Sequence, residues 1–409
     1  MASIIKVVPA MNIVIAPSGF KESLDPVQAA ECIEKGILKV APNSKILKMP
    51  LVDGGEGFVH GLVSATKGRV INITVTGPLG LPIPSYFGFR GDRPATAIIE
   101  MAAAAGLSLV PRDQRDPTRT TSFGVGELIL AAIEAGATKI LVGCGDSGVC
   151  DAGIGMLQAL GVRYLDGNGQ ALPQASGIEG LERLSVIDTS TLNPLLSRVK
   201  IDVACNWHNV LCGPKGVSRV FGPQKGATDA QVEAMSIAME RCAEAMSRIL
   251  GRDISLEPGT GASGGLGAGL LLTGATLHPR YDIVMRFFDI DRAMKAADLV
   301  ITAEGGIDEQ TPRGKIPAEV ASRAKSLNLP VIALAGTIGA GAEANYHCGI
   351  DAFASIMQGP TTLDVAIAQA KELLTDAAES SMRMVLVGQR IRKTSETLVE
   401  PPCRSKATN

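Results

Sequence analysis

Three stretches of this chain place carboxylates among glycines: "VDGGEGF" (52–58), "CGDSGVCDAG" (144–153) and "TAEGGIDEQT" (302–311). Carboxylates can hold a cation or take a proton, and glycine lets a backbone turn sharply or approach a ligand closely. The first stretch offers Asp53, Gly54, Gly55 and Glu56; the second offers Asp146, Ser147 and Asp151; the third offers Glu304 and Asp308, with Thr311 and Lys315 just beyond. Two further loops add cations: "APSGFKESL" (16–24) with Ser18 and Lys21, and "FGPQKGATD" (221–229) with Lys225. A run poor in side chains, "PGTGASGGLGAG" (258–269), contains Gly264 and Gly265 and suits close backbone approach to phosphate. Acids, hydroxyls and lysines in glycine loops are the parts phosphoryl transfer needs: Mg²⁺, cations for phosphate oxygens, and a base near the accepting hydroxyl.

Each stretch also has a structural reading. The 16–24 segment lacks the G-x-x-x-x-G-K-[ST] spacing of a P-loop and reads equally as a strand–helix turn with a solvated lysine. "VDGGEG" reads equally as an Asx turn, and 258–269 as a flexible linker. Cys205-x-x-His208-x-x-x-Cys212 offers only three ligands without a partner pair, so packed thiols are the simpler reading.

The elements that must position these loops alternate between strand and helix. "NIVIAPS" (12–18) reads as a buried strand, and 26–41 as an amphipathic helix with Asp25 as N-cap and Pro26 at its first position. A strand in 44–52, a helix in 57–66 and a strand in 69–77 complete a βαβαβ start. Later come strands "KILVGC" (139–144), "VKIDVACN" (199–206), "ADLVITAEG" and "PVIALAGT", helices near 124–135, 153–160 and 229–250, and one long final helix over 363–391. Asp53, Asp146 and Glu304 thus fall at strand ends, the edge where open α/β sheets bind ligands. The register predicts an α/β fold of two unlike domains, one inserted into the other: 1–76 with 285–391, interrupted by 77–284, and a disordered tail over 392–409.

Bulk composition agrees. With 39 Lys plus Arg against 41 Asp plus Glu, the net charge of −2 gives no footprint for nucleic acid or a membrane surface. Aromatics are 3% of the chain against 46% hydrophobic residues overall, so Ala, Val, Ile and Leu must build the core, as in parallel α/β folds. Eight cysteines without paired spacing, and no apolar run of the ~18–20 residues that span a bilayer, point to a cytoplasmic protein with reduced thiols.

At the loops the chain resembles the glycerate kinase family of bacterial type. The stretches that carry the likeness are "IVIAPSGFKESL", "VDGGEGF", "IEMAAAAGL", "RDPTRTTSFGVGELI", "GDSGVCDAGIGMLQALGV", "FGPQKGA" and "AEGGIDEQT", in order over nearly the whole chain. The resemblance implies a cleft between the two domains, and ATP-dependent, Mg²⁺-assisted phosphorylation of a hydroxyl of D-glycerate. The matching positions are Ser18, Lys21, Asp53, Gly54, Gly55, Glu56, Glu100, Thr121, Ser147, Asp151, Lys225, Glu304, Asp308 and Lys315. Asp151 or Asp146 would serve the hydroxyl, Asp53, Glu304 or Asp308 the Mg²⁺, and Lys21 and Lys225 the phosphates. The expected partners are ATP and a small hydroxy acid, in a possible homodimer.

The chain also departs from the family pattern. Asp146 stands for a glycine, Cys150 for an asparagine, Asn206 for an acid and Gly306 for an arginine. Losing an arginine removes a natural partner of a substrate carboxylate. Two alternatives therefore stand beside glycerate phosphorylation: a kinase of the family acting on another hydroxylated metabolite, and a non-catalytic nucleotide- or metabolite-binding protein on a kinase scaffold.

Overall fold

The computed structural model describes residues 10–20, 23–52, 54–178 and 181–397. Strands β1 (Asn12–Ile15) and β2 (Lys45–Lys48) open the chain. The middle holds β3 (Arg69–Thr76), β4 (Pro82–Phe89), β5 (Thr96–Glu100), β6 (Lys139–Gly143), β7 (Arg163–Asp166), β8 (Leu184–Asp188), β9 (Lys200–Cys205) and β10 (Thr276–Pro279). The last strands are β11 (Leu299–Ile307), β12 (Val331–Ile338) and β13 (Ala352–Ser355).

The chain divides into two compact units, Met1–Leu51 with Asp289–Asn409, and Val52–Phe288. The discontinuous unit is built on a five-stranded sheet in the order β13-β12-β11-β1-β2, with every neighbouring pair parallel. Its central strands β1, β11 and β12 are largely buried aliphatic runs, the pattern of a sheet covered by helices, while the edge strands β2 and β13 are partly exposed. The chain goes from β1 outward to β2 on one side and from β11 outward to β13 on the other, so β1 and β11 flank a topological switch point. Helix Pro26–Leu38 starts as the sequence predicts: Pro26 is at its first position and Asp25 forms a capping box with Gln28. It packs against the last helix, Ala370–Thr397.

The continuous unit holds a six-stranded sheet, β10-β9-β6-β5-β4-β3, parallel from β10 to β5 and antiparallel from β5 to β3. A two-stranded β7–β8 ribbon completes the unit's strands. Its core is aliphatic, with Phe87, Phe89 and Tyr164 the large rings, as the low aromatic content requires.

Several expectations need correction. The unit boundary falls after Leu51 rather than near residue 77, and the return falls at Asp289. β3 is not a third parallel strand of the first sheet; it pairs along its whole length, antiparallel, with β4, and helix Phe58–Ala65 packs on β3, β4 and β5. Alternation of polar and apolar residues reveals that a strand exists but not which strand it joins. The 258–269 run is no flexible linker: Ala262 to Leu271 are all buried, and Ser263, Gly264 and Gly265 form a left-handed kink (φ 51°, 73° and 90°) before the helical stretch that ends at Leu272. Small residues there let a helix enter a crowded interior. The final helix is two, Leu363–Ala368 and Ala370–Thr397, separated at Gln369. The latter runs past 392, where a disordered tail was expected; residues 398–409 lie outside the described residues.

Candidate functional site

In the continuous unit, the loops after β5 and β6 meet the loop that precedes helix Phe58–Ala65. Asp146 Oδ2 accepts a hydrogen bond from the Glu56 N–H at 2.9 Å. A Cβ on Gly145 would lie 2.6 Å from the Gly55 Cα, so only glycine permits this approach. Asp146 adopts φ 48°, a left-handed conformation that aspartate tolerates better than most residues. On the other side, the Leu107 N–H bonds the Asp146 carbonyl at 2.8 Å and the Gly148 N–H bonds the Ala105 carbonyl at 2.8 Å. The acid that the sequence offered as a base therefore holds two loops in register, while its own residue stays exposed.

Asp151 is fully buried. Its Oδ2 accepts from the Ser122 N–H (2.8 Å), the Ser122 hydroxyl (2.8 Å) and the Gly155 N–H (3.2 Å), and its Oδ1 from the Gly153 N–H (3.1 Å). Burial pushes its carboxyl up from the ordinary value, and the bonds from Ser122, Gly155 and Gly153 pull it back. Ser122 Oγ also accepts from the Met156 N–H at 3.0 Å, and Thr120 Oγ1 donates to the Gly148 carbonyl at 3.1 Å. Ser122 and Thr120 belong to this network although only Thr121 was singled out; the run Thr120-Thr121-Ser122 before a helix was the available signal. Thr121 is itself buried and accepts from the Phe123 N–H at 3.2 Å.

Lys225 is 2% exposed, and its Nζ reaches Ser147 Oγ at 2.8 Å and the Val149 carbonyl at 2.6 Å. Burial pushes its pKa below the ordinary lysine value; Cys150 and Asp151 act in the other direction. Gly264 and Gly265 also meet this loop. The Ala152 N–H donates to the Gly264 carbonyl at 3.0 Å, and a Cβ on Gly264, whose φ is +73°, would sit 2.0 Å from the Val149 carbonyl oxygen. Their close approach is to the 149–153 backbone, and both are buried.

Glu100, at the end of β5, is 1% exposed. It accepts from the Val59 N–H at 3.0 Å and the Tyr86 hydroxyl at 3.3 Å. Helix Phe58–Ala65 has Gly57 at its cap and no side-chain cap bond, so Glu100 satisfies a terminal N–H from another strand. Burial, the largest cause, pushes its carboxyl up to about 7, against the bonds from Val59, Gly57 and Tyr86. The folded state then holds this proton more tightly than the unfolded chain. The contribution is full below the ordinary 4.5 and is lost as pH rises through about 7. Glu100→Gln keeps the shape without the charge. Its stability relative to the parent should rise between pH 5 and pH 8 by up to about 3 kcal/mol in urea unfolding; a pH-independent difference would contradict this account.

Asn206 follows β9, and its Oδ1 accepts from the His208 N–H at 3.2 Å in a tight turn. Nearby Cys205 and Cys212 are buried and His208 is exposed.

In the discontinuous unit, the loop after β1 runs alongside β11 at the switch point. The Ser18 N–H and hydroxyl both donate to the Ala303 carbonyl, at 2.8 and 3.1 Å, and Thr302 Oγ1 donates to the Ala16 carbonyl at 2.8 Å. Glu304 is the next residue of β11. Asp308 Oδ1 accepts from the Gln310 N–H, the Thr311 N–H and hydroxyl, and Lys315 Nζ at 3.2 Å. Burial pushes Asp308 up, but Lys315 and the turn N–H groups hold it below the ordinary carboxylate value. Lys21 and Asp53 lie outside the described residues.

Parallel sheets with acids, hydroxyls and lysines gathered in the loops at their strand ends define an α/β protein of the kind that takes small ligands at that edge. The glycerate kinase family matches residues 13–386. A Bacillus subtilis (strain 168) glycerate kinase is 46% identical over 94% of this chain and 99% of its own. An Escherichia coli (strain K12) glycerate 2-kinase is 42% identical over 93% of this chain and 99% of its own. A crystal structure from Salmonella typhimurium LT2, of a protein described as glycerate kinase 2, superposes with a TM-score of 0.83 at 44% identity, covering 93% of this chain and all of that one. The chain belongs to the glycerate kinase family.

Proposed function

We propose that the protein transfers the γ-phosphoryl group of ATP to a hydroxyl of glycerate or a closely related small hydroxy acid. The observation that carries this is the span of the family match, residues 13–386, which takes in every loop described above. Loops of the discontinuous unit serve the nucleotide. Ser18 and its neighbours sit at a switch point, where phosphate-bearing ligands bind in doubly wound sheets. The donor set there fits Mg²⁺, a hard ion that takes one or two carboxylates and leaves other positions to phosphate oxygens. Glu304 and Asp308 would hold it: Asp308 is 38% exposed, open enough for an ion to reach. The ion would neutralise charge on the phosphates. Lys315 keeps the Asp308 carboxyl ionised, and Lys21 would add a cation for the phosphate oxygens. Loops of the continuous unit serve the acceptor: Glu56, Ser147 and Asn206 orient it, and Asp146, Asp151, Thr121, Glu100, Gly54, Gly55, Gly264 and Gly265 shape the backbone around it.

The described cysteines are all free, which supports a reducing compartment, the cytoplasm. No helix among the described residues is long and apolar enough to cross a membrane. Turnover of ATP and Mg²⁺ with D-glycerate, followed by coupled ADP detection over a panel of hydroxy acids, tests the proposal. ADP release that depends on D-glycerate is the expected result. Preference for another acceptor would narrow the assignment to the family chemistry. Thermal stabilisation by nucleotide without consumption by any acceptor would favour a binding protein, and regained turnover in Asn206→Asp with Gly306→Arg would show what had been lost.

A further inference from the structure

Asp308 is fixed from two sides. Within its own turn, Oδ1 accepts from the Gln310 N–H (2.9 Å), the Thr311 N–H (3.1 Å), the Thr311 hydroxyl (3.2 Å) and Lys315 Nζ (3.2 Å). These bonds all fall on Oδ1, which leaves Oδ2 without a partner among the described residues. The second support comes from the segment after β12, whose parallel register with β11 runs to the pair Ile307 and Ile338. The Gly339 N–H donates to the Ile307 carbonyl at 2.8 Å, and the Glu309 N–H to the Ala340 carbonyl at 3.2 Å. A Cβ on Gly341, whose φ is +69°, would sit 2.8 Å from the Glu309 Cβ, so the two segments meet at close range. Asn345, 0% exposed, anchors this contact. Its Nδ2 donates to the Asp308 carbonyl at 3.0 Å and to the Ala342 carbonyl at 2.8 Å. Its Oδ1 is buried without a partner among the described residues. An aliphatic side chain would avoid the penalty of that oxygen, so the amide's contribution lies in the carbonyls it holds.

We propose that Asn345 is a positioning residue for the cation: it fixes the Asp308 main chain from the interior, so that Oδ2 is held ready for the Mg²⁺ that accompanies the nucleotide. The proposal rests on the reading above in which Asp308 serves the metal. Asn345 touches neither ion nor nucleotide and acts through the Asp308 carbonyl. The turn bonds fix Oδ1 and the Asn345 bond fixes the backbone, so the carboxylate has little freedom left to lose when a cation binds. Groups that orient a metal-binding residue in this way change affinity or activity by about 10–100-fold when removed.

Calorimetric titration of the full chain with AMP-PNP, a non-hydrolysable ATP analogue, measures the cation's contribution as the ratio of the affinities in Mg²⁺ and in EDTA. Asn345→Leu, which removes both donations, should shrink that ratio about tenfold or more and leave the affinity in EDTA within about threefold of the parent's. In turnover, the Mg²⁺ concentration for half-maximal rate should rise by a similar factor. A ratio within threefold of the parent's overturns the proposal; so does an equal loss in Mg²⁺ and in EDTA, the mark of a merely structural role. NMR of the ¹⁵N-labelled parent keeps the test independent of how the leucine variant folds. The Asn345 side-chain amide resonances should shift further when Mg²⁺ is added to the AMP-PNP complex, and resonances that ignore the metal overturn the proposal. Asp308→Asn tests the reading beneath. It should abolish the Mg²⁺-dependent gain, and a gain that survives it removes Asp308 from the metal site whatever Asn345→Leu does.

Discussion

Asp151→Asn should destabilise the continuous unit by roughly 3–5 kcal/mol and abolish most turnover. An amide has one acceptor oxygen for the two carboxylate oxygens: placed at Oδ1, it leaves the nitrogen facing the N–H groups of Ser122 and Gly155, and placed at Oδ2, it leaves the nitrogen facing the Gly153 N–H, so either orientation sets a donor against a buried donor. Ser122 Oγ already accepts from Met156, so it cannot absorb both changes. Buried donors left unpaired cost about 1–3 kcal/mol each, and no water enters easily where Asp151 and Ser122 have no exposed surface. The loop that frays carries Ser147 and the Val149 carbonyl, so the Lys225 contacts should loosen with it. Denaturant unfolding measures the stability, and hydrogen exchange at the Gly153 and Gly155 amides locates the change. Unfolding within 1 kcal/mol of the parent, with full turnover, would show that Asp151 neither organises this loop nor meets the acceptor.

Asp308→Asn should have the opposite profile. Its side chain is 38% exposed and that of Lys315 is 32% exposed, a pair screened by solvent and worth about 0–1 kcal/mol. Asparagine keeps the Oδ1 acceptor for the Gln310 and Thr311 N–H groups, so the turn and helix Ile316–Ser326 should persist. The substitution removes the charge a cation needs. We expect kcat to fall by about 100–1,000-fold, the Mg²⁺ concentration for half-maximal rate to rise, and the unfolding midpoint to stay nearly unchanged. Equal kcat and equal Mg²⁺ dependence in parent and variant would remove Asp308 from the metal site and leave it a turn residue.

The two substitutions look alike on paper, each an acid beside glycines at the end of a strand. What separates them is how many donors the fold aims at each carboxylate and how much water reaches it. Residue type marked both loops as places for chemistry but could not rank them. Gly264 and Gly265 show the same limit: glycine announces close approach, and here the partner is the backbone at 149–153.

Local interactions were legible in the chain itself. The Asp25–Gln28 capping box, Pro26 at the helix start, the aliphatic strands and the acid–glycine loops at strand ends depend on neighbours a few residues away, and spacing reports those directly. Tertiary structure alone decided the long-range facts. β3 joins β4 rather than β1, so the boundary moves to Leu51. Asp146 reaches Glu56 across 90 positions, and Lys225 reaches Ser147 across 78. These pairings follow from which hydrophobic faces bury together and which polar groups must then be satisfied, a condition on the whole packed chain that no short window of residues contains.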